Sequence, residues 1–247
     1  MGKDDAPAVT RQRSSGRIAA VPDNFRASAK KEKWVVHALE LRAGTVGEVC
    51  ESSGEWFFVD LGFSSERPTC GLLVGDGEPQ EITFADMRAR VSNACRVTGG
   101  PLNLLIEAPL SVAFGANGNP AGRKCERRGT DTRYWYVGLA CSVLVAATYL
   151  LREVHDLPRS REIRLFEGFV SFKPTRSRSS HKDDVLALRD VAWSRVTGRG
   201  YLVDPNDLKL NSEDEVFSAF RVAGMDFGVP PVVVVDSSQP GPARSAA

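Results

Sequence analysis

Residues 55–62 read Glu-Trp-Phe-Phe-Val-Asp-Leu-Gly, a short apolar run that ends in a carboxylate. Residues 103–110, Asn-Leu-Leu-Ile-Glu-Ala-Pro-Leu, repeat the pattern further along the chain. Each run has the length and composition of a buried strand. A carboxylate at the end of a core strand is costly to desolvate unless it has a partner, and neither Asp60 nor Glu107 has a basic neighbour in sequence. The pair therefore suggests a shared metal ion.

The segments that follow the first run predict a small antiparallel unit joined to a parallel strand. Strands are predicted at Trp56–Leu61, Thr69–Val74 and Gln80–Phe84, with turns between them. Residues 84–95 have helical spacing, and Leu102–Ala108 reads as a fourth strand. A strand–helix–strand passage favours a parallel crossover, so the fourth strand is expected beside the first.

The second half of the chain continues the alternation of helices and strands. Its predicted elements are an apolar helix that contains Tyr134–Leu151 and ends near residues 155–158, a strand at Glu162–Val170, a helix at Asp183–Thr197, a helix at Asn211–Gly224 and a strand at Pro230–Val235. Ser212 and Glu215 have the spacing of a capping box for the later helix. The fold class predicted is α/β, with a mixed five-stranded sheet flanked by helices.

Composition is that of an ordinary soluble protein, with 42% hydrophobic and 26% charged residues and a net charge of +1. The 247 residues suggest a partly disordered extension over 1–50, one domain over 51–236 and a flexible tail over 237–247. None of the five cysteines forms a CxxC pair, which favours reduced thiols and a cytoplasmic location. Residues 134–151 carry no charge and approach the length of a membrane span, but a buried helix and no membrane are the preferred interpretation.

Four short motifs resemble, in the same order, those of the predicted ribonuclease H-like nucleases of unassigned role, which are relatives of the Holliday-junction resolvases. The motifs are Val59-Asp-Leu-Gly62, Ile106-Glu-Ala-Pro-Leu110, Arg123-Lys-Cys-Glu-Arg-Arg128 and Leu165-Phe-Glu-Gly-Phe169. The predicted element order is also the layout of the ribonuclease H-like fold. The resemblance covers residues 55–236.

The resemblance implies a metal-dependent nuclease acting on DNA or RNA. Its metal ligands would be Asp60, Glu107 and an acidic residue of the last helix, holding Mg²⁺ or Mn²⁺. Two such ions would activate water and stabilise the leaving oxygen in phosphodiester hydrolysis. Resolvase-like relatives often act as dimers, so a homodimer or a protein partner is a further expectation.

Two departures from the family pattern affect this site. The family commonly has aspartate where Glu107 stands, and Ser218 occupies a position that is acidic in the family's last helix. Asp214 is the first choice for the third ligand, and Asp183 and Asp184 are its alternatives. As an alternative to metal binding, Asp214 could stabilise a helix N-terminus by its charge.

The remaining candidates are one buried acid and two basic loops. Glu167 lies inside an apolar strand, either as a catalytic carboxylate or in a buried ion pair with Arg123 or Arg127. The bases that follow the fourth strand would bind the phosphates of the substrate or else form local ion pairs. They are Arg123, Lys124, Arg127, Arg128 and Arg133. A second possible contact consists of Arg176, Arg178, His181 and Lys182, and Tyr134 and Trp135 could stack on bases but are expected in the core.

Two other functions stay open from sequence alone. A non-catalytic module of the same fold would bind nucleic acid or protein without turnover. Residues 60–62 also resemble the phosphate-binding turn of sugar kinases and actin-like ATPases, although 247 residues leave little room for the second domain of those proteins. A nucleophile elbow, a Walker loop and a GxGxxG motif after a strand are all absent from the sequence.

Overall fold

The computed structural model describes residues 40–62, 64, 66–128, 131–132, 139–171, 179–194 and 198–236. These residues belong to a compact unit that runs Ala38–Ala247. Most of the predicted N-terminal extension and the whole predicted C-terminal tail lie outside the described residues. The predictions for residues 1–39 and for the tail over 237–247 therefore stay predictions.

The described residues form thirteen strands and four α-helices. In chain order these are β1 (Leu41–Ala43), α1 (Val46–Glu51), β2 (Glu55–Asp60), β3 (Cys70–Val74), β4 (Gln80–Ile82), α2 (Phe84–Arg96), β5 (Leu102–Glu107), β6 (Ser111–Phe114), β7 (Pro120–Ala121), β8 (Arg127–Arg128), β9 (Asp131–Thr132), α3 (Leu139–Asp156), β10 (Ile163–Ser171), α4 (His181–Ala192), β11 (Gly200–Val203), β12 (Glu215–Ser218) and β13 (Val232–Asp236).

The main sheet has the strand order β11-β13-β10-β5-β2-β3-β4. The strands β2, β3 and β4 form an antiparallel meander, and β5 pairs parallel with β2 as the sequence predicts. The strands β5, β10 and β13 are parallel neighbours, and β11 closes that side in the antiparallel direction. The carboxyl ends of β2, β5, β10 and β13 consequently lie along one edge of the sheet.

Helices cover both faces of this sheet. The helices α2 and α3 pack on one face through residues such as Met87, Val91, Ala147 and Leu150. On the other face α4 packs through residues that include Val185 and Leu188 against Phe58 and Leu105. Strands buried on both faces read as continuous apolar runs, which explains why residues 55–61 and 102–108 were recognisable in sequence.

The described sheet contains eight strands rather than the five predicted. One addition is β1, which lies before the predicted domain boundary at residue 50. It pairs in parallel with the first residues of β10, so the sheet includes part of the predicted extension. Another is β11, whose pattern Gly-Tyr-Leu-Val gave no clear signal in so short a segment. The third is β13, which was predicted as a strand but not counted in the five-stranded sheet.

The helix predicted over 211–224 is wrong. Residues 215–218 form β12, which pairs antiparallel with β6 in a separate three-stranded sheet with β7. Before this strand the Asp214 carboxylate accepts a hydrogen bond of 2.8 Å from the Asn211 amide, which forms a turn in place of the predicted Ser212 cap. A helix would satisfy the same backbone groups, so the strand is favoured by tertiary context, in which residues 215–218 pair with β6 and Ser218 and Phe220 are buried.

The apolar segment predicted as a buried helix corresponds to α3, of which 18 residues are described. Within the described part of the chain, no helix is long and apolar enough to cross a bilayer.

Candidate metal centre

Asp60 and Glu107 are the last residues of two adjacent parallel strands and lie directly beside each other. They are register partners in the β2–β5 ladder, so both side chains point to the sheet face that α4 covers. Both residues are buried, at 6% and 7% exposure. The sequence predicted this pair, and the structure brings it together.

The third acid at this position is Asp184, in the first turn of α4. Ligand oxygens of Asp60, Glu107 and Asp184 all lie within 4.8 Å of one another. Asp184 is buried, and the Ser179 hydroxyl donates a hydrogen bond of 2.9 Å to its Oδ1 atom, which helps to fix the carboxylate. The sequence predicted Asp184 as one of two alternatives to Asp214 for the third metal ligand.

The other alternative, Asp183, has a different role. The Ser180 amide and hydroxyl donate hydrogen bonds of 3.1 Å and 2.9 Å to Asp183 Oδ2, and the Ser180 hydroxyl accepts one from the Asp183 amide. This capping box starts α4 at His181, two residues before the predicted start. The capping box fixes the first turn of α4, which holds Asp184 close to the ends of β2 and β5.

Two glycines at the same level of the sheet let α4 approach the carboxylates. Gly71 on β3 is the register partner of Asp60, and Gly168 on β10 is that of Glu107. A Cβ atom on Gly71 would lie within 3.0 Å of the His181 carbonyl group, and one on Gly168 would lie 3.0 Å from Leu188 of α4. The row Gly-Asp-Glu-Gly across four strands therefore combines two carboxylates with the space for a third.

His181 adds a titratable group to this cluster. Its Nδ1 atom lies 2.6 Å from Asp60 Oδ2, and 37% of its side chain is exposed. Its hydrogen bond with Asp60 raises the pKa of His181 above the ordinary value, with Asp184 and Glu81 acting in the same direction, although burial opposes them. The sequence placed His181 only among the possible nucleic-acid contacts. The sequence feature that could have indicated its place beside the acids is the i, i+3 spacing to Asp184, which puts both residues on one helix face.

Glu167 lies outside this cluster and forms the buried ion pair that was its alternative interpretation. It projects from the opposite face of β10, where Arg123 Nη1 lies 2.7 Å from Glu167 Oε1. The Leu110 and Ser111 amides donate hydrogen bonds of 3.0 Å and 3.2 Å to Glu167 Oε2. Burial raises the pKa of Glu167, while Arg123 opposes that shift. The contacts support a structural role in place of the predicted catalytic one.

Arg123 was predicted to bind phosphate, but its side chain is completely buried. It also pairs with Glu126 at 3.1 Å, and its Nη1 atom donates a hydrogen bond of 2.7 Å to the Ser111 hydroxyl. An arginine with 0% exposure cannot reach a polymer phosphate. The guanidinium of Arg123 can be buried because the carboxylates of Glu167 and Glu126 pair with it.

Asp214, the first choice for the third ligand, is not a member of the cluster of ligand atoms. It precedes β12 beside Gly115, and its carboxylate accepts the Asn211 amide hydrogen bond described above. The prediction for Asp214 failed because the acidic stretch around it was assigned to a helix that the chain does not form.

The other predicted phosphate-binding residues are only partly described. Lys124 and Arg127 are exposed, and the Arg128 side chain lies outside the described residues. The same holds for Arg133, Tyr134, Trp135, Arg176 and Arg178.

The donor set fits a hard divalent cation. Three buried carboxylates within 4.8 Å repel one another strongly unless positive charge compensates them. Carboxylate oxygens are preferred ligands of Mg²⁺ and Mn²⁺, and the adjacent imidazole is compatible with Mn²⁺. Asp60, Glu107 and Asp184 are therefore the residues that could hold such an ion.

Comparisons with known proteins do not assign the chain to a family. No protein-family model, curated protein or solved structure matches it.

Proposed function

We propose that this protein is a divalent-metal-dependent nuclease with a ribonuclease H-like fold. Its reaction is hydrolysis of phosphodiester bonds in DNA or RNA, and Mg²⁺ or Mn²⁺ is the cofactor. The observation that carries the proposal is the convergence of Asp60, Glu107 and Asp184 on one point at the carboxyl edge of the sheet.

The strand arrangement supports the fold assignment. The antiparallel strands β4, β3 and β2 are followed across the sheet by the parallel strands β5 and β10. The helix α2 connects β4 to β5, α3 precedes β10, and α4 follows it. As far as α4 this matches the layout that the sequence resemblance implies for a ribonuclease H-like domain, with the aspartate on the first strand of the meander, whereas β12 stands in place of the final helix of that layout.

The protein residues have separable roles in the proposed reaction. Asp60, Glu107 and Asp184 would hold the metal, which would supply Lewis-acid stabilisation of a phosphodiester and activate water for hydrolysis. Ser179 orients Asp184 through its hydroxyl hydrogen bond. His181 presents its Nδ1 atom to Asp60, so Nε2 is the ring nitrogen that exchanges a proton with water or with the leaving oxygen.

Cleavage of end-labelled single-stranded and duplex DNA and RNA tests the proposal. The purified protein is expected to cleave at least one of these substrates with Mn²⁺ or Mg²⁺ and to lose activity in EDTA. Asp60→Asn, Glu107→Gln and Asp184→Asn should each reduce the rate at least about 100-fold, which is about 2.7 kcal/mol of transition-state stabilisation.

Matched variants separate the proposed ligands from nearby acids. Asp183→Asn alters the residue next to Asp184 but keeps a side-chain oxygen that can accept the capping hydrogen bonds from Ser180, and Asp214→Asn alters the first-choice ligand from sequence. Both should cleave at rates close to that of the unchanged protein. Full activity in Asp60→Asn, or metal binding with no cleavage of any substrate, would contradict the proposal and favour a non-catalytic binding module.

A further inference from the structure

A cavity of about 400 Å³ lies at the β11 edge of the main sheet, lined by residues that the proposed metal centre does not use. Its volume falls within the range of about 300–1,000 Å³ that is typical of small-molecule sites. The described lining comes from the 124–127 segment, from β11 and from the turn after it. These residues are Lys124, Cys125, Arg127, Tyr201, Leu202, Val203 and Asp207.

The lining is divided into an apolar floor and a polar rim. Cys125 and Val203 are buried in one apolar cluster and form the floor, whereas the partly buried Leu202 packs with the cluster on the α4 face of the sheet. Burial raises the pKa of the Cys125 thiol to about 12, so the floor carries no thiolate at neutral pH. Tyr201 is half-exposed at 49% and offers an aromatic face at the mouth.

The rim carries more positive than negative charge. Lys124 and Arg127 are exposed cations, and Asp207 is the acid among the described lining residues. Within the described part of the chain, neither cation forms an ion pair of 4.0 Å or less. A ligand that carries an anionic group can therefore engage both bases, while Asp207 can accept a hydrogen bond from a hydroxyl or amino group.

Hydrogen bonds and the buried Arg123–Glu126 ion pair fix the backbone that carries the two cations. The Arg123 amide donates a hydrogen bond of 2.7 Å to Glu126 Oε2, and the Arg123 side chain pairs with Glu126 Oε1. The Arg127 amide donates to the Lys124 carbonyl, and the Lys124 amide donates to the Leu208 carbonyl at 2.8 Å. Because the backbone is fixed at both cations, binding needs to order little more than their side chains.

From this arrangement we infer that the cavity binds a nucleoside monophosphate, with its phosphate on Lys124 and Arg127 and its base against Tyr201. Asp207 accepts a hydrogen bond from the sugar or the base. Aromatic stacking tolerates any base, so the site recognises the class of ligand and not one base. The inference is independent of the proposed nuclease activity, because none of its residues belongs to the metal centre.

Calorimetric titration of the full chain with AMP in EDTA and low salt tests this inference. We expect a dissociation constant below about 1 mM. Lys124→Ala and Arg127→Ala should each weaken binding at least about tenfold, since each removes a charge-assisted contact. Tyr201→Ala should weaken it about fivefold or more through lost stacking.

Two controls make each result decisive. Arg90→Ala removes an exposed arginine from α2 and should leave the affinity within about twofold, because single exposed charges contribute little at a distance. Asp60→Asn should also leave it unchanged. Absence of AMP binding, or insensitivity of binding to the Lys124 and Arg127 changes, would overturn the inference. Equal affinity for inorganic phosphate and AMP would overturn the assignment to a nucleotide.

Discussion

Gly71 on β3 lies directly against the main-chain carbonyl of His181, at the start of α4. A Cβ atom at position 71 would lie within 3.0 Å of that carbonyl group, and the carbonyl is backbone that cannot rotate away. Gly71→Ala should therefore push the first turn of α4 from the sheet and separate Asp184 from Asp60 and Glu107. We expect a loss of about 1–3 kcal/mol in the free energy of unfolding and weaker metal binding.

Gly100→Ala is the matched control for this substitution. A Cβ atom on Gly100 would meet nothing within 4 Å, so that variant should keep its stability and its metal affinity. Urea unfolding and Mn²⁺ titration of both variants check the prediction. Normal metal affinity in Gly71→Ala would show that the approach of α4 does not position the third ligand.

Metal binding should be visible as a change in melting temperature. A ligand present at 100 times its dissociation constant stabilises by about 2.7 kcal/mol, which corresponds to about 5–10 °C for a chain of this size. Asp60→Asn, Glu107→Gln and Asp184→Asn should lose this increase. Glu107→Gln and Asp184→Asn should also melt higher than the unchanged protein in EDTA, because each relieves repulsion among three buried carboxylates without removing the contact between Asp60 and His181.

The controls are again Asp183→Asn and Asp214→Asn, which should keep the metal-dependent increase. Differential scanning fluorimetry with and without Mn²⁺ measures all five variants together. An increase retained in Asp184→Asn but lost in Asp214→Asn would restore the original ligand assignment and contradict the cluster seen here.

Arg123 should matter for stability and not for contact with substrate. Arg123→Met leaves Glu167 and Glu126 buried without their shared cation, and removing one member of a buried ion pair costs about 3–5 kcal/mol. Lys124→Met, one residue away and exposed, should change stability by less than about 0.5 kcal/mol. Denaturant unfolding distinguishes the two. Unchanged stability in Arg123→Met, together with lost nucleic-acid binding, would return Arg123 to the substrate site.

Glu48 should stabilise the fold in a pH-dependent manner. Hydrogen bonds from Arg42, with further help from Thr45 and Arg164, hold the pKa of Glu48 below its ordinary value of 4.5, although burial opposes them. Because the folded-state pKa is the lower one, the stabilisation is complete above pH 4.5 and is lost as the pH falls through the folded value. Glu48→Gln should therefore cost about 1–2 kcal/mol at pH 7.

That difference should shrink towards zero in acid, below the folded pKa of Glu48. The exposed Glu51, at the end of the same helix, provides a control, since Glu51→Gln should show little difference at either pH. Unfolding curves at pH 7 and in acid measure the effect. A constant cost for Glu48→Gln at both values would contradict the assigned ion pair.

Two carboxylates of the centre could be predicted from sequence because their strands are buried on both faces. Continuous apolar runs identify such strands, and a charge at the end of one is conspicuous. The parallel pairing of β2 and β5 followed from the helix between them. Asp60 and Glu107 were therefore expected on neighbouring strand ends, where they lie.

The third acid and the ion pair depend on tertiary contacts that the sequence does not display. Asp184 reaches the cluster because glycines on β3 and β10 let α4 approach, and register across four strands cannot be read from spacing. Asp214 was favoured because residues 211–224 have local helical character, but pairing with β6 makes part of that stretch a strand. Arg123 was interpreted as a basic residue of a loop, because its ion pair with Glu167 joins segments that are far apart in the sequence.

Anomalous diffraction from crystals grown with Mn²⁺ tests the central claim most directly. The account predicts an anomalous peak within coordination distance of carboxylate oxygens of Asp60, Glu107 and Asp184, and no such peak in Asp184→Asn crystals. A chain that binds no Mn²⁺ between these three residues, or that binds it only at other carboxylates, would contradict the proposed metal centre.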